Sequence, residues 1–489
     1  RYHFLPRLLG SAPIEGEHDM FGPAHKAWLS AQSLLARGGP LPRAIERGNR
    51  RLLRRRFGRP VDELVDHHTA HAYSAYLTSG FPEALAVSID NMGDGYAAKV
   101  FRCRDGRCEF LWGSRATDSP GQFYGEISQF LGFHLLGAGK VTGLAARGDP
   151  RPAYPLMERL FRLERDDTDF RLAPLWSKSR TRGRFRELRS FTREDVSAAA
   201  QRRLEDLVLA YVGRGLRETG DRHLVLAGGV FANVLLNHRL WQLDAVDGVF
   251  VHPAMSDQGI AVGAALAHQA ETGGLSPSPI RDAYLGPGYV DDEIGDLLER
   301  GGIGAERPGD LAGRIADLIA DHKVVARFAG RMEYGPRALG HRSILVHTAD
   351  PSVNDWLNHR LDRSEFMPFA PATLAEHAAD CYEDYGPGVE HTARFMTITL
   401  RCSEAMKKAS PAVVHCDGTA RPHVVDRETS PGLHRILREV LERTGVPSVI
   451  NTSFNTHGEP IVCTPADALR LFQQRRVDAL ALGPFLLIH

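Results

Sequence analysis

Two histidines four residues apart, in His67-His68-Thr69-Ala70-His71, open a helical pattern and put two imidazoles on one face, with Cβ atoms about 5–6 Å apart. A shared divalent ion is the chemistry this spacing allows; a capping or surface cluster at a helix start would use the same residues. Asp90 and Asp257 strengthen the metal reading. Each falls at the carboxyl end of an expected strand, ALAVSID and VFVHPAMS, where open α/β sheets collect their ligands. Taken singly, Asp90 also suits an Asx turn before Gly93, and Asp257 an N-cap for the helix GIAVGAALAHQ. Two imidazoles with two carboxylates suit iron, manganese or zinc, and composition does not choose among them. Because position 68 is His, the H-E-x-x-H of zinc peptidases is absent.

Glycine-rich turns form a second set of candidates, for phosphate. Asn91-Met92-Gly93-Asp94-Gly95 lies between two expected strands and permits close backbone approach, although a plain hairpin turn needs the same residues. In Ala227-Gly228-Gly229-Val230-Phe231-Ala232-Asn233 an apolar strand runs into a double glycine and then a helix, with Asn233 where backbone N–H groups attract anions or a ribose hydroxyl. Gly137-Ala138-Gly139-Lys140-Val141-Thr142-Gly143 reads as a loop with one lysine and is not a Walker A. Arg327, Arg331, Arg337 and Arg342 crowd into VARFAGRMEYGPRALGHRSIL, where Gly335, Pro336 and Gly340 interrupt any helix. Guanidinium forks on a rigid turn match phosphate and carbonyl oxygens. NHRLDRSEFMPFAPATL, HCDGTARPHVV and INTSFNTHGEPIV are three further polar islands that fit ligand-shaping loops or ordinary turns.

The elements that must position these groups alternate. From about 64 to 290 the pattern gives a helix at HAYSAYLTSG, a buried strand at ALAVSID, a hairpin at YAAKVFRC and CEFLWGS, a helix at GQFYGEISQFLGF, and two further strand-helix pairs. The stretch TGGLSPSPIRDAYLGPGYVDD marks a boundary, and after it KVVARFAG, RFMTITLRC and VPSVINTSF read as strands of a second domain. Composition, with 43% hydrophobic residues and 60 basic against 60 acidic side chains, is that of a globular protein with no net field for nucleic acid or an anionic membrane. The arginines of IERGNRRLLRRRFGRP and RTRGRFRELR lack interleaved aromatics and read as solvated helix faces. Cys103 and Cys108 flank an Asp105-Gly106 turn and, with the other cysteines scattered, are expected to be reduced in a cytoplasmic protein. No signal-peptide core or membrane-spanning run is found.

Taken in order, HHTAHAYSA, SIDNMGDG, GKVTGLAARG, LAGGVFANV, SDQGIAVGAA, GRMEYGPRALGHRSIL, FMPFAPA, HCDGTARP and NTSFNTHGEPIV resemble the O-carbamoyltransferases of natural-product and nodulation-factor biosynthesis, from about residue 64 to 489. The resemblance implies an α/β protein with an actin-like (ribonuclease H-like) ATPase domain, 1–300. A smaller adenylate-forming domain, 301–489, would be similar to the threonylcarbamoyl-adenylate synthase fold. It implies that carbamoyl phosphate and ATP are joined with release of pyrophosphate, and that the carbamoyl adenylate then serves an acceptor hydroxyl of a small molecule, a polyketide or aminoglycoside. His67, His71, Asp90 and Asp257 would hold the metal, iron by preference, with manganese, zinc or magnesium as alternatives; His67 or His68 would act as base, and Arg337 would join them as a catalytic residue. Gly93, Asp94, Gly95, Lys140, Gly228, Gly229 and Asn233 would face the nucleotide. Arg331, Arg337, Arg421, Asn451 and Asn455 would grip carbamoyl phosphate and nucleotide phosphates.

Three departures from the family pattern carry expectations. No opening strand with an H-D-x-S loop is seen, so the first strands of the actin-like sheet would be either absent from the protein or outside this stretch of sequence, and true absence would leave a sheet edge exposed. Phe366-Met367-Pro368-Phe369-Ala370-Pro371 lacks the arginine usual at its second position, for which Arg360 or Arg363 would substitute. Ala138 replaces an acidic residue before the G-K pair. Two other readings stand beside the first: a tRNA threonylcarbamoyladenosine-type enzyme, and a non-enzymatic nucleotide-binding partner protein.

Overall fold

Strand β1 (Glu83–Gly93) is buried on both faces from Ala84 to Ile89 because it runs through the middle of its sheet. In this computed structural model, which describes residues 40–61, 63–134, 137–172, 186–362 and 369–489, β1 leads into β2 (Tyr96–Arg104) and β3 (Arg107–Arg115). A small ribbon, β4 (Phe161–Leu163) with β5 (Phe170–Leu172), follows, then β6 (His223–Ala227) and β7 (Gly248–Val251). The main sheet has the order β3-β2-β1-β6-β7, antiparallel from β3 to β1 and parallel from β1 to β7. Among the described residues β1 therefore has a neighbour on each side. The edges are β3 and β7.

Helix α1 (Pro40–Phe57) carries Arg51, Arg54, Arg55 and Arg56 exposed. α2 (His67–Leu77) and α5 (Arg193–Thr219) cover opposite faces of β1: Ser88 meets His68 of α2, while Leu85 packs against Gly215 of α5. Between them in sequence come α3 (Pro120–Phe130) and α4 (Ala138–Ala145), and after them α6 (Val234–Trp241) and α7 (Ile260–Gly273). The expected loop at Gly137–Gly143 is thus mostly helix α4. It lies against α5, and the Thr142 hydroxyl meets the Tyr124 hydroxyl at 3.0 Å.

Cys103 and Cys108 are joined by a disulfide, which corrects the expectation of reduced thiols. The Asp105-Gly106 turn, with both residues at positive φ, sets the register so that the two cysteines stand directly opposite, in the closely spaced kind of antiparallel pair.

Contacts divide the chain into Arg1–Pro279 and Ile280–His489, a break inside the Gly/Pro-rich stretch and earlier than position 300. In the second unit, β8 (Val325–Phe328), β9 (Arg342–Val346) and β10 (Ala370–Leu374) are followed by the short pair β11 (Leu400–Arg401) and β12 (Thr419–Ala420). After them come β13 (His423–Val425), β14 (Ser448–Ser453), β15 (Ala479–Leu482) and β16 (Phe485–Ile488). The main sheet has the order β13-β10-β14-β9-β8-β15-β16. Helices α8 (Leu311–Ala320) and α9 (Pro431–Thr444) close one core over it through Ile315, Ile319, Leu433, Leu437 and Val440. RFMTITLRC is a strand only at Leu400–Arg401: Met396 turns the chain with φ 56°, and the buried Thr397 hydroxyl bonds the Thr392 carbonyl at 3.2 Å. Among the described residues no helix is long and apolar enough to cross a membrane.

Candidate metal centre and arginine loop

Asp66 caps α2. Its Oδ1 accepts from the Thr69 N–H at 3.0 Å and pairs with Lys99 Nζ at 2.9 Å. Burial pushes this carboxyl up, but Lys99 and His68 outweigh it and bring it down to about 2. The helix so anchored aims His67 and His71 at the carboxyl end of β1. Nε2 of His71 lies 3.3 Å from Asp90 Oδ2 and 3.8 Å from Asp257 Oδ1; Nε2 of His67 lies 3.7 Å from each of those oxygens. All four ligand atoms fall within 4.8 Å of one another.

Both Nε2 atoms are buried without a hydrogen-bond partner, and an orphaned buried polar atom calls for a ligand. Donors at these separations suit one ion bound at about 2.0–2.2 Å, so the residues fit a divalent cation. Burial disfavours the His71 cation, but Asp257 and Asp90 outweigh it and raise its pKa. Burial likewise opposes ionisation of Asp90, and His67 and His71 nonetheless hold it far below the usual carboxylate range.

Several of the glycines expected at a nucleotide build this cluster. Gly229 donates its N–H to Asp90 Oδ2 at 3.1 Å, and Asn91 donates to Asp90 Oδ1 at 2.6 Å. Gly228 has φ 103°, and a Cβ there would stand 2.2 Å from the Ile89 carbonyl oxygen. A Cβ on Gly93 would stand 2.1 Å from the His67 ring. Asp94 and Gly95 form the β1-β2 turn, and Asp94 Oδ2 accepts the His67 N–H at 2.9 Å. Asn233 caps α6 and bonds Gln201, which also accepts from Tyr124, a buried polar cluster no spacing in the sequence had marked. Lys140 sits over the Phe133 ring at 5.8 Å.

His68 is corrected as a base. It is wholly buried, with Nδ1 2.8 Å from the Ser88 hydroxyl and Nε2 donating to the Tyr96 carbonyl at 3.0 Å. Burial, reinforced by His67, brings its pKa down to about 3, so it stays neutral and fully engaged.

The four arginines of the second unit separate into two kinds. Arg331 donates to the Leu285 and Gly286 carbonyls at 2.6 and 2.9 Å. Arg342 is buried, donates to the Ala329 carbonyl at 2.7 Å and stacks over Phe328 at 3.6 Å. Arg327 is held by the Gly340 carbonyl. These three knit the loop together through backbone carbonyls. Glu333, missed in the sequence, fixes the loop's shape: its Oε1 accepts the N–H groups of Leu339, His341 and Arg342 at 2.7, 2.8 and 3.1 Å.

Arg337 is the exception. Its Nε is buried and unpartnered, and burial pushes the guanidinium down to about 10. Arg421 is driven well below its ordinary value by burial and by the Arg337 charge, so the two cations are neighbours. Among the described residues no carboxylate pairs with either. Asn451 donates Nδ2 to the Ala338 carbonyl at 3.0 Å beside Arg337, and its buried Oδ1 has no partner. Asn455 is used up inside its own turn, accepting from Ser453 and donating to the Glu459 carbonyl. Arg360 pairs with Asp478 at 2.8 Å. Arg363, Phe366, Met367 and Pro368, like residues 1–39, lie outside the described residues.

A family model described as carbamoyltransferase N-terminus matches residues 28–266, and one described as carbamoyltransferase C-terminus matches residues 316–489. Nodulation protein NolNO of Sinorhizobium fredii is 36% identical over 90% of this chain and 66% of its own length. Nodulation protein NolO of Bradyrhizobium diazoefficiens is 34% identical over 86% of this chain and 78% of its own. A solved HypF structure from T. kodakarensis aligns with 38% of this chain and 22% of its own at 20% identity and a TM-score of 0.26, too low to bear on fold or function.

Proposed function

The chain belongs to the carbamoyltransferase family, and from that premise we propose that it is an ATP-dependent O-carbamoyltransferase that makes carbamoyl adenylate and passes the carbamoyl group to a hydroxyl of a small secondary metabolite. The observation that carries the reading is the convergence of His67, His71, Asp90 and Asp257 with both histidine Nε2 atoms left unpartnered. The sheet order β3-β2-β1-β6-β7 supports a ribonuclease H-like layer around that cluster.

The chemistry balances in three steps. Water splits carbamoyl phosphate to carbamate and phosphate; a carbamate oxygen attacks the α-phosphorus of ATP, and pyrophosphate leaves with the bonding pair. The acceptor oxygen then attacks the carbamoyl carbon, the carbon–oxygen bond to the adenylate breaks, AMP departs, and the hydroxyl proton is released to water.

Arg337 and Arg421 supply the positive charge that the phosphate oxygens need, in a setting where burial strengthens every charge-assisted hydrogen bond. The free Oδ1 of Asn451 is a fixed acceptor suited to a carbamoyl N–H. A divalent ion held by His67, His71, Asp90 and Asp257 would contribute Lewis-acid polarisation of the carbamoyl carbonyl or adenylate phosphate. Gly229 and Asn91 keep Asp90 aimed, and Asp94 fixes the start of α2.

The test is carbamoyl-phosphate-dependent exchange of labelled pyrophosphate into ATP by the protein with Fe²⁺ or Mn²⁺. Exchange that needs carbamoyl phosphate is the expected result. Exchange that needs threonine and bicarbonate instead, or nucleotide binding with no exchange, overturns it.

A further inference from the structure

Cys103 and Cys108 take no part in the chemistry above, yet their disulfide stands where the two helices behind the candidate metal ligands come to rest. The bond joins β2 to β3 one rung in from the Asp105-Gly106 turn. Gly106 donates its N–H to the Tyr76 hydroxyl and Cys108 donates its own to the Tyr73 hydroxyl, both at 3.3 Å, and both tyrosines are buried in the later half of α2. Gly106 also fits against the chain just after α7, where a Cβ would stand 1.8 Å from the Leu275 carbonyl oxygen. We propose that this disulfide is a site of reversible thiol–disulfide exchange with a dithiol reductant, and that opening it weakens divalent-ion binding by His67, His71, Asp90 and Asp257. The exchange stands by itself; its effect on the ion rests on the metal-centre reading above.

Both helices turn one end to the cluster and the other to the hairpin. His67 begins α2, and Tyr76 lies about 14 Å further along its axis. Asp257 stands just before α7, and Leu275 just after it. Between these ends the helices touch: a Cβ on Gly263 of α7 would stand 1.9 Å from the Ala70 carbonyl oxygen of α2. Beyond α7, Ser278 donates its N–H to the Leu77 carbonyl at 2.9 Å. The hairpin tip is therefore a wedge that both helices share, at the end away from the ligands.

The two sulfurs are not equally open. Cys103 is fully buried on β2, inside the sheet, whereas Cys108 is half-buried on β3, an edge of the described sheet. Access decides which sulfur is attacked. A thiolate of the dithiol attacks Cys108 Sγ, the bond between the two cysteines breaks, and Cys103 leaves as a thiolate that takes a proton from water. The second thiolate of the dithiol attacks the mixed disulfide and releases Cys108, which is protonated in turn. Two electrons pass to the protein, and the dithiol becomes a disulfide.

The fold outlasts this change. β2 keeps its ladder to β1 from Glu83 to Ile89, and the Asp-Gly turn sets the hairpin register without the bond. The loop it closes is short, so it contributes less chain entropy than a long cross-link would. Spacing is what alters. Two thiols need a van der Waals separation that two bonded sulfurs do not. Because Cys103 is packed inside the sheet, the movement falls on Cys108 and on the N–H it gives to Tyr73.

Alkylation with peptide mass mapping of the full chain tests the exchange. Dithiothreitol should open the pair to two alkylated cysteines, and glutathione disulfide should close it again. A pair that stays closed in excess dithiothreitol, or open in glutathione disulfide, overturns the proposal. Amide hydrogen exchange at Gly106 and Cys108 should quicken by about tenfold or more on reduction, with Ala86 and Val87 unchanged; an unchanged tip overturns the wedge. The Mn²⁺ dissociation constant, read by electron paramagnetic resonance after the reductant is removed, should rise by about tenfold or more. Cys108→Ser should show the raised value with and without prior reduction. An affinity that reduction leaves alone, in protein of wild-type circular dichroism, overturns the link to the ligands. Absence of Mn²⁺ binding by the oxidised protein is a separate failure, of the metal-centre reading, and leaves the alkylation and amide results standing.

Discussion

The His/Asp cluster of the first unit and the arginine loop of the second are built by opposite means. In the first, four side chains from three elements, α2, the end of β1 and the turn after β7, converge, and backbone N–H groups of Gly229 and Asn91 hold the central carboxylate. In the second, one stretch of chain from Arg327 to Arg342 folds over a single buried carboxylate, Glu333, and most of its charge goes into tying that fold. A converging set advertises every member, whereas a knitted loop hides its one available cation among three structural ones. Density of a residue type is a poor guide to its job; what each side chain already bonds is a better one.

The largest effects should separate the two regions. His71→Ala removes a donor that neither backbone nor solvent replaces. Acceptor carbamoylation should fall by about 10³-fold, the equivalent of several kcal/mol of lost charge stabilisation, and bound metal measured by elemental analysis should drop with it. Pyrophosphate exchange should survive. Arg337→Gln should do the reverse to exchange, lowering it by about 10²-fold, as loss of one preorganised donor does. Loss of both steps in both variants breaks the contrast.

A sharper comparison stays inside the loop. Arg331→Gln removes donors to the Leu285 and Gly286 carbonyls, so melting should fall by roughly a few degrees while exchange stays within about threefold of wild type. If Arg331→Gln costs as much exchange as Arg337→Gln, the two kinds of arginine are not distinct.

How much of this was legible beforehand follows from period and proximity. The α2, β1, β2 and β3 elements announce themselves by strong local patterns: H-x-x-x-H at helical spacing, an apolar run bounded by turns, and a D-G hairpin. The convergence of the His/Asp cluster was legible for the same reason, since strand ends are marked by where apolar runs stop. Gly228 and Gly229 were legible as necessary glycines but not as supports for Asp90, because a tight approach looks the same whether phosphate or carboxylate is the neighbour. GKVTGLAARG misled, since most of it is helix α4 lying against α5, and only beyond the helix does Gly148 meet the start of α5. RFMTITLRC misled because burial alone, without ladder partners, makes an apolar run without making a strand. The roles of Arg331, Arg360 and Glu333 rest on partners 45, 118 and 6 to 9 residues away, which no spacing rule reaches.

The smallest effects probe what holds each site rather than what it does. Glu333→Gln keeps the shape but replaces a carboxylate accepting three N–H bonds with an amide, and a buried, charge-assisted acceptor lost this way costs about 1–3 kcal/mol in urea unfolding. Because Arg337 rides on that loop, exchange should fall with it, by less than in Arg337→Gln. Asp66→Ala removes the cap of α2 and should cost about 1 kcal/mol. If the cluster is held chiefly by the backbone N–H groups on Asp90, as its hydrogen bonds indicate, metal affinity should change little in Asp66→Ala; a collapse of metal binding would mean that the capped helix, and not the strand end, sets the geometry of the cluster.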